Sequence, residues 1–186
     1  MRRQCHVHCR INTVIHFAED LRSSIMQART IIDQYAAYDL WANTLFVRRL
    51  DREPVDVLDR TTPSSFPTLR QTLLHIRNAE HVWLQRVRNE SYTWPAEADD
   101  AIGSLLKHCA HLRDHVASLD ESALAGMVHY KDLRGNGHSS SVWQMLMHCF
   151  NHSSYHRGQL VTMMRALGME DIPASDMIAY FRSLSK

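Results

Sequence analysis

Four stretches of this chain carry apolar residues at three- and four-residue steps, and proline or glycine separates them. That pattern commits the chain to packed helices. From about 27 to 50 the repeating positions are Ile31, Tyr35, Tyr38, Ala42, Leu45, Phe46 and Leu50. Pro54, Pro63 and Pro67 then break the chain. Thr68 stands before a second periodic stretch to about Glu90, with Leu69, Leu73, Ile76, Trp83 and Val87 on one face. A third runs from Asp99 or Asp100 to Leu119 through Ile102, Leu105, Leu106, Cys109, Leu112 and Val116. Residues 120–139 read as a long crossover, with a short hairpin at Gly135, Asn136 and Gly137. The fourth and longest stretch runs from Ser140 or Ser141 to Leu167, with Gly168 as its stop. After Pro173, a short last helix is expected over 175–184. The predicted fold is all-α: a four-helix bundle with a long crossover before the fourth helix and no central strands.

Residues 1–26 lack this periodicity and read as an extension outside the bundle domain, which spans 27–186. Arg2 and Arg3 are not followed by the apolar run of a signal peptide, and Glu19 and Asp20 weigh against a transit peptide. Cys5, His6, His8 and Cys9 crowd soft metal ligands into five residues, but nothing around them predicts a supporting fold, so a tail is expected there.

Bulk properties exclude several classes of function. With 21 basic and 20 acidic residues, net charge +1, the chain is not built to hold nucleic acid by bulk electrostatics. No apolar run approaches the roughly 20 residues of a membrane span. Four cysteines, Cys5, Cys9, Cys109 and Cys149, are too scattered for a disulfide framework, which points to a reducing, cytoplasmic compartment. The unusual number is thirteen histidines.

Three of these lie four residues apart on the fourth helix: His148, His152 and His156. A four-residue step returns a side chain to the same helix face about 6 Å along the axis, so such a pair can reach one metal ion. Helical projection places His152 and His156 inside the apolar stripe of Val142, Met145, Cys149, Leu160, Met163 and Leu167. His148 falls at the edge of the stripe, on the side of Gln144 and Tyr155. Two adjacent buried imidazoles need partners, and a metal satisfies both; the plainer reading is a pair of hydrogen-bonded core histidines. A third ligand must come from another helix, and spacing alone does not choose it. His75 lies beside the main apolar face of the second helix, and His81 projects about 120° from it. On the third helix His108, His111 and His115 flank Lys107, Arg113 and Asp114, so they are expected on a solvated face. Glu80, on the apolar face between Ile76 and Trp83, is a candidate acceptor or general base. A buried salt bridge to Arg157 is its plainer reading. Met163 and Met164 read as core filler. Di-iron bundles need several Glu residues and Glu-x-x-His repeats, which the fourth helix lacks.

Three stretches resemble the DinB-like, YfiT-type metal-binding superfamily. The first is Tyr38, Asp39, Leu40, Trp41, Ala42 and Asn43. The second is Leu74, His75 and Ile76, followed by Glu80 and Trp83. The third and most specific is Asn151, His152, Tyr155, His156, Arg157, Gly158 and Gln159, followed by Leu167, Gly168, Pro173, Asp176 and Tyr180. The resemblance covers 27–185. It implies an up-down-down-up four-helix bundle, a homodimer, and one divalent metal ion on three histidines, matching His75, His152 and His156. Zinc or nickel comes first and iron next, since imidazole suits all of these. Three ligands leave a coordination position open, as in catalytic sites. The resemblance therefore implies a metal-dependent transferase, or related hydrolase, acting on a small-molecule substrate with a low-molecular-weight thiol. The alternative is a non-catalytic, stress-induced metal-binding protein. Neither a nucleic-acid nor a membrane partner is expected.

Overall fold

The computed structural model describes residues 29–132 and 134–185. The extension expected over 1–26, with its Cys5–Cys9 cluster, lies outside the described residues. The first helix, α1, is described over 29–50. After it come α2 (Val55–Leu58), α3 (Leu69–Val87), α4 (Ser104–Ser118), α5 (Glu121–Ala125), β1 (Met127–Lys131), β2 (Gly137–Ser141), α6 (Val142–Ala166) and α7 (Met177–Ser183). Four long helices and a short terminal one are the predicted all-α bundle. No described helix is long and apolar enough to cross a membrane.

Local chemistry explains most boundaries. Thr68 begins α3 by accepting from Gln71 N with its hydroxyl at 3.1 Å. Ser141 N donates to Gln144 Oε1 at 3.1 Å as α6 begins. Gly168, at φ 71°, takes up the left-handed turn that stops α6. The crossover holds the expected hairpin: β1 and β2 pair antiparallel from Met127–Ser141 to Lys131–Gly137. Gly135, at φ 87°, turns the chain between them.

The third helix starts later than predicted. Residues 99–103 form a loop because buried Arg77 claims its backbone and the first side chain of α4: Arg77 Nη1 donates to Asp99 O at 3.0 Å and to Ser104 Oγ at 2.8 Å. The stripe of α1 is also shifted at its beginning. Ile31 is 59% exposed and Ile32 faces the core instead. The short helices α2 and α5 were not foreseen. Asp120 caps α5 by accepting from Ala123 N at 2.7 Å.

The core has two apolar ends and a polar middle. At one end, Phe46 and Leu50 of α1 meet Leu73 and Ile76 of α3, Leu105 of α4, and Leu160 and Met163 of α6. At the other, Ile32 and Ala36 meet Leu84, Leu112, Val116, Leu146 and Phe150. Between them lie Asp39 and Asn43 of α1, Glu80 of α3, and Ser153 and Arg157 of α6, all buried. Met163 and Met164 fill the core as expected.

Candidate metal centre

The two histidines read from helical spacing and the one supplied by resemblance come together. His75 projects from α3, and His152 and His156 from α6. His75 Nε2 lies 3.0 Å from His152 Nε2, which lies 3.1 Å from His156 Nε2. One ligand nitrogen from each falls within 4.8 Å of the others. Adjacent imidazole nitrogens around a tetrahedral zinc stand about 3.3 Å apart, given Zn–N bonds of about 2.0–2.1 Å. Two of the three spacings are thus within a few tenths of an ångström of what an ion needs, and the third is no more than 4.8 Å.

Charge also fits. Burial, reinforced by the neighbouring His156, lowers the pKa of His75 to about 4. Burial, with His156, His75 and His148 beside it, takes His152 down to about 3. Burial lowers His156 as well, and its bond to Gln159 opposes the shift. These imidazoles are therefore neutral near pH 7 and have lone pairs to offer. His156 is the best prepared. Its Nδ1–H donates to Gln159 Oε1 at 2.8 Å, which leaves Nε2 bare. Gln159 Nε2 in turn donates to Ser65 Oγ at 2.7 Å. By contrast His152 Nδ1 is buried without a hydrogen-bond partner among the described residues. Aromatic rings flank His75. Phe66 stacks on His75 with centroids 4.2 Å apart, and Trp94 stands edge-on to it at 6.0 Å.

Other candidates sort differently. His148 is exposed, its ring 4.8 Å from that of Trp83, so the projection that set it aside agrees with its place. His81 is turned toward His108, with ring centroids 5.5 Å apart, and away from the trio. Of the third-helix histidines, His111 is exposed, but His108 is buried, which corrects the solvated-face expectation. Its Nε2 meets Glu97 Oε1 at 3.0 Å, because the 96–103 loop folds over that face.

The salt bridge expected between Glu80 and Arg157 is not formed. Arg157 Nη1 instead donates to Asp39 Oδ1 at 2.6 Å and to Asn43 Oδ1 at 3.0 Å. Glu80 Oε1 accepts from Asn43 Nδ2 at 3.1 Å and from Ser153 Oγ at 3.0 Å. Burial, then the charge of Asp39, pushes the Glu80 carboxyl well above its usual range, which favours its protonated form. Asp39, Glu80 and Cys109 form a second cluster of ligand-type atoms. Asn43 fills its centre: Nδ2 lies 3.1 Å from Asp39 Oδ2, 3.1 Å from Glu80 Oε1 and 3.3 Å from Cys109 Sγ. An amide occupies the place an ion would need.

The contribution of Gln159 was readable in principle, since it stands three residues after His156 on one helix. Ser65, Phe66 and Trp94 come from loops and carry no such signal.

The family model described as DinB family matches residues 26–182. The chain belongs to the DinB family. It is 22% identical over 147 residues to protein DinB of Bacillus subtilis strain 168, which covers 73% of this chain and 86% of that protein. The crystal structure of a DinB-like protein from Bacillus subtilis superposes with a TM-score of 0.58 at 16% identity, covering 77% of this chain and 98% of that one. A DinB-like protein from Bacillus cereus gives 0.55 at 19% identity, covering 74% and 91%. These two likenesses show the shared helical fold.

Proposed function

We propose that this DinB-family chain is a metal-dependent enzyme. In this reading it holds one divalent ion on His75, His152 and His156. It transfers a group to or from a low-molecular-weight thiol, or hydrolyses a related small electrophile. The observation that carries the reading is the convergence of three neutral imidazole nitrogens, with Nε2 atoms 3.0 and 3.1 Å apart. An ion there, zinc or nickel first and iron next, would supply a Lewis acid that lowers the pKa of a bound water or thiol.

The chain's own residues set the terms. Three nitrogens leave a coordination position open, as catalytic sites do. The pKa shifts of His75 and His152 arise from burial and from other histidines, with no carboxylate among the causes. A neutral ligand set leaves the charge of an ion uncompensated and so favours an anionic partner such as a thiolate. Phe66 and Trp94 set aromatic rings beside His75. The same reading takes the working protein as a cytoplasmic homodimer without nucleic-acid or membrane partners.

The test begins with untagged protein, because thirteen histidines collect nickel from an affinity column. Stripped protein refilled with zinc or nickel should take up one ion per chain, and His152→Ala should not. Wild type without stoichiometric metal, or equal uptake by the variant, would remove the site. The loaded protein should then consume an electrophile such as monochlorobimane in the presence of one member of a thiol panel. Metal uptake with no turnover across the panel would favour the non-catalytic, stress-induced reading.

A further inference from the structure

Two adjacent residues of the loop between α2 and α3 act on two ligand histidines from different helices. Ser65 Oγ accepts from Gln159 Nε2 at 2.7 Å, and Gln159 Oε1 accepts from His156 Nδ1 at 2.8 Å. Phe66, the next residue, stacks on His75 with planes 29° apart, and its centroid is also 5.6 Å from that of His156. The loop is braced. Thr62 N donates to Pro67 O at 2.8 Å, closing the segment on itself. Arg70 grips Asp59 with two bonds, of 2.9 and 3.1 Å, across its base.

From this geometry we infer that Ser65, Phe66 and Gln159 form a clamp that presets the metal-binding nitrogens. Ser65 and Gln159 hold His156 as the Nδ1–H tautomer with Nε2 bare, and Phe66 fixes the plane of the His75 ring. These are positioning residues: Gln159 and Phe66 touch the ligands, Ser65 touches Gln159, and none would touch the ion. A neutral imidazole binds metal through the nitrogen that lacks hydrogen, and its other hydrogen bond selects which one that is. Gln159 turns its carbonyl oxygen to His156 Nδ1 while its amide nitrogen donates to Ser65 Oγ. The neighbouring ligand receives no such help, since His152 Nδ1 has no hydrogen-bond partner among the described residues. Without Gln159, no described residue outside the trio would hold either ligating imidazole of α6 in a chosen tautomer. One short loop thus couples α3 to α6 at the site.

The inference rests on the proposed metal site for its effect on affinity, but its tautomer claim holds without metal. Two measurements on the full-length, untagged protein test it. The first is zinc affinity by competition with a chromophoric chelator. Gln159→Ala is expected to weaken binding about 10–100-fold, the usual cost of losing a residue that orients a ligand. Ser65→Ala should give a smaller loss of the same sign, and Gln159→Glu, which keeps an acceptor for Nδ1, should restore binding. The second is nitrogen-15 histidine NMR on the metal-free protein. His156 should be Nδ1–H in wild type and a mixture of tautomers in Gln159→Ala. Ser65 is exposed and Gln159 half-buried, so both alanine variants should fold, as circular dichroism will show. A folded Gln159→Ala that binds zinc within about twofold of wild type would overturn the clamp. So would a wild-type His156 protonated on Nε2. If wild type binds no zinc, the metal reading falls, and the NMR result alone upholds or overturns the clamp.

Discussion

Arg157 Nη1 donates to Asp39 Oδ1 at 2.6 Å, joining α6 to α1 with both side chains 2% exposed. The pair lies in the polar layer between the two apolar ends of the core. Asn43 accepts from the same guanidinium nitrogen at 3.0 Å, and Ser154 Oγ accepts from Nη2 at 2.8 Å. Removing one partner strands the other charge away from water. Asp39→Ala is expected to cost about 3–5 kcal/mol, read from urea unfolding. The double replacement Asp39→Leu with Arg157→Met should recover a large part of that loss. Equal stability of the single and double variants would contradict this account.

Glu80 predicts a pH dependence of stability. Burial, then the charge of Asp39, holds its folded pKa well above the ordinary value of a glutamate carboxyl. Below that value the carboxyl is protonated in both the folded and unfolded chains. Above it the unfolded chain releases the proton while the folded chain keeps it, so stability falls as pH rises toward the folded pKa. Glu80→Gln removes this contribution and keeps an acceptor for Asn43 and Ser153. Its stability relative to wild type should therefore increase between pH 5 and pH 8 in urea unfolding. A constant difference across that range would show that Glu80 ionises normally.

Metal binding should stabilise the fold, because the three histidines converge only when α3 and α6 are packed. Zinc at about 100 times its dissociation constant adds about 2.7 kcal/mol. For a domain of this size that is a rise of about 5–11 °C in Tm. Differential scanning fluorimetry should show the rise in wild type, its reversal by a chelator, and its absence in His152→Ala. A shift of the same size in the variant would place the ion elsewhere.

Arg86 ties the hairpin to α3. Its guanidinium lies 4.7 Å from the Trp83 ring centre, 5.3 Å from Tyr92 and 5.1 Å from Tyr130. Nη2 also donates to Lys131 O at 2.9 Å. Arg86→Met keeps much of the apolar stem but loses the cation and the bond. The expected cost is about 1–3 kcal/mol. Amide exchange should speed up across β1 and β2 more than in α3, and uniform acceleration would argue against a local tie.

Much of the fold was legible because helix periodicity is local. The same arithmetic put His152 and His156 on one face and His148 aside. It slipped by one residue at Ile31, where Ile32 takes the core position. It also missed the late start of α4, because the competitor for that backbone, Arg77, belongs to another helix.

The sequence by itself determined the long helices, the family, and the fact that two histidines of α6 share a face. These follow from spacing along one chain segment and from motifs read in order. Tertiary structure decided which groups meet across segments. It brought His75 to the α6 pair, gave Arg157 to Asp39 instead of Glu80, buried His108 under a loop, and set Phe66 against His75 and Ser65 against Gln159, the partner of His156. Such meetings depend on the rotation and axial offset of packed helices and on where loops return, and periodicity along a single helix encodes neither.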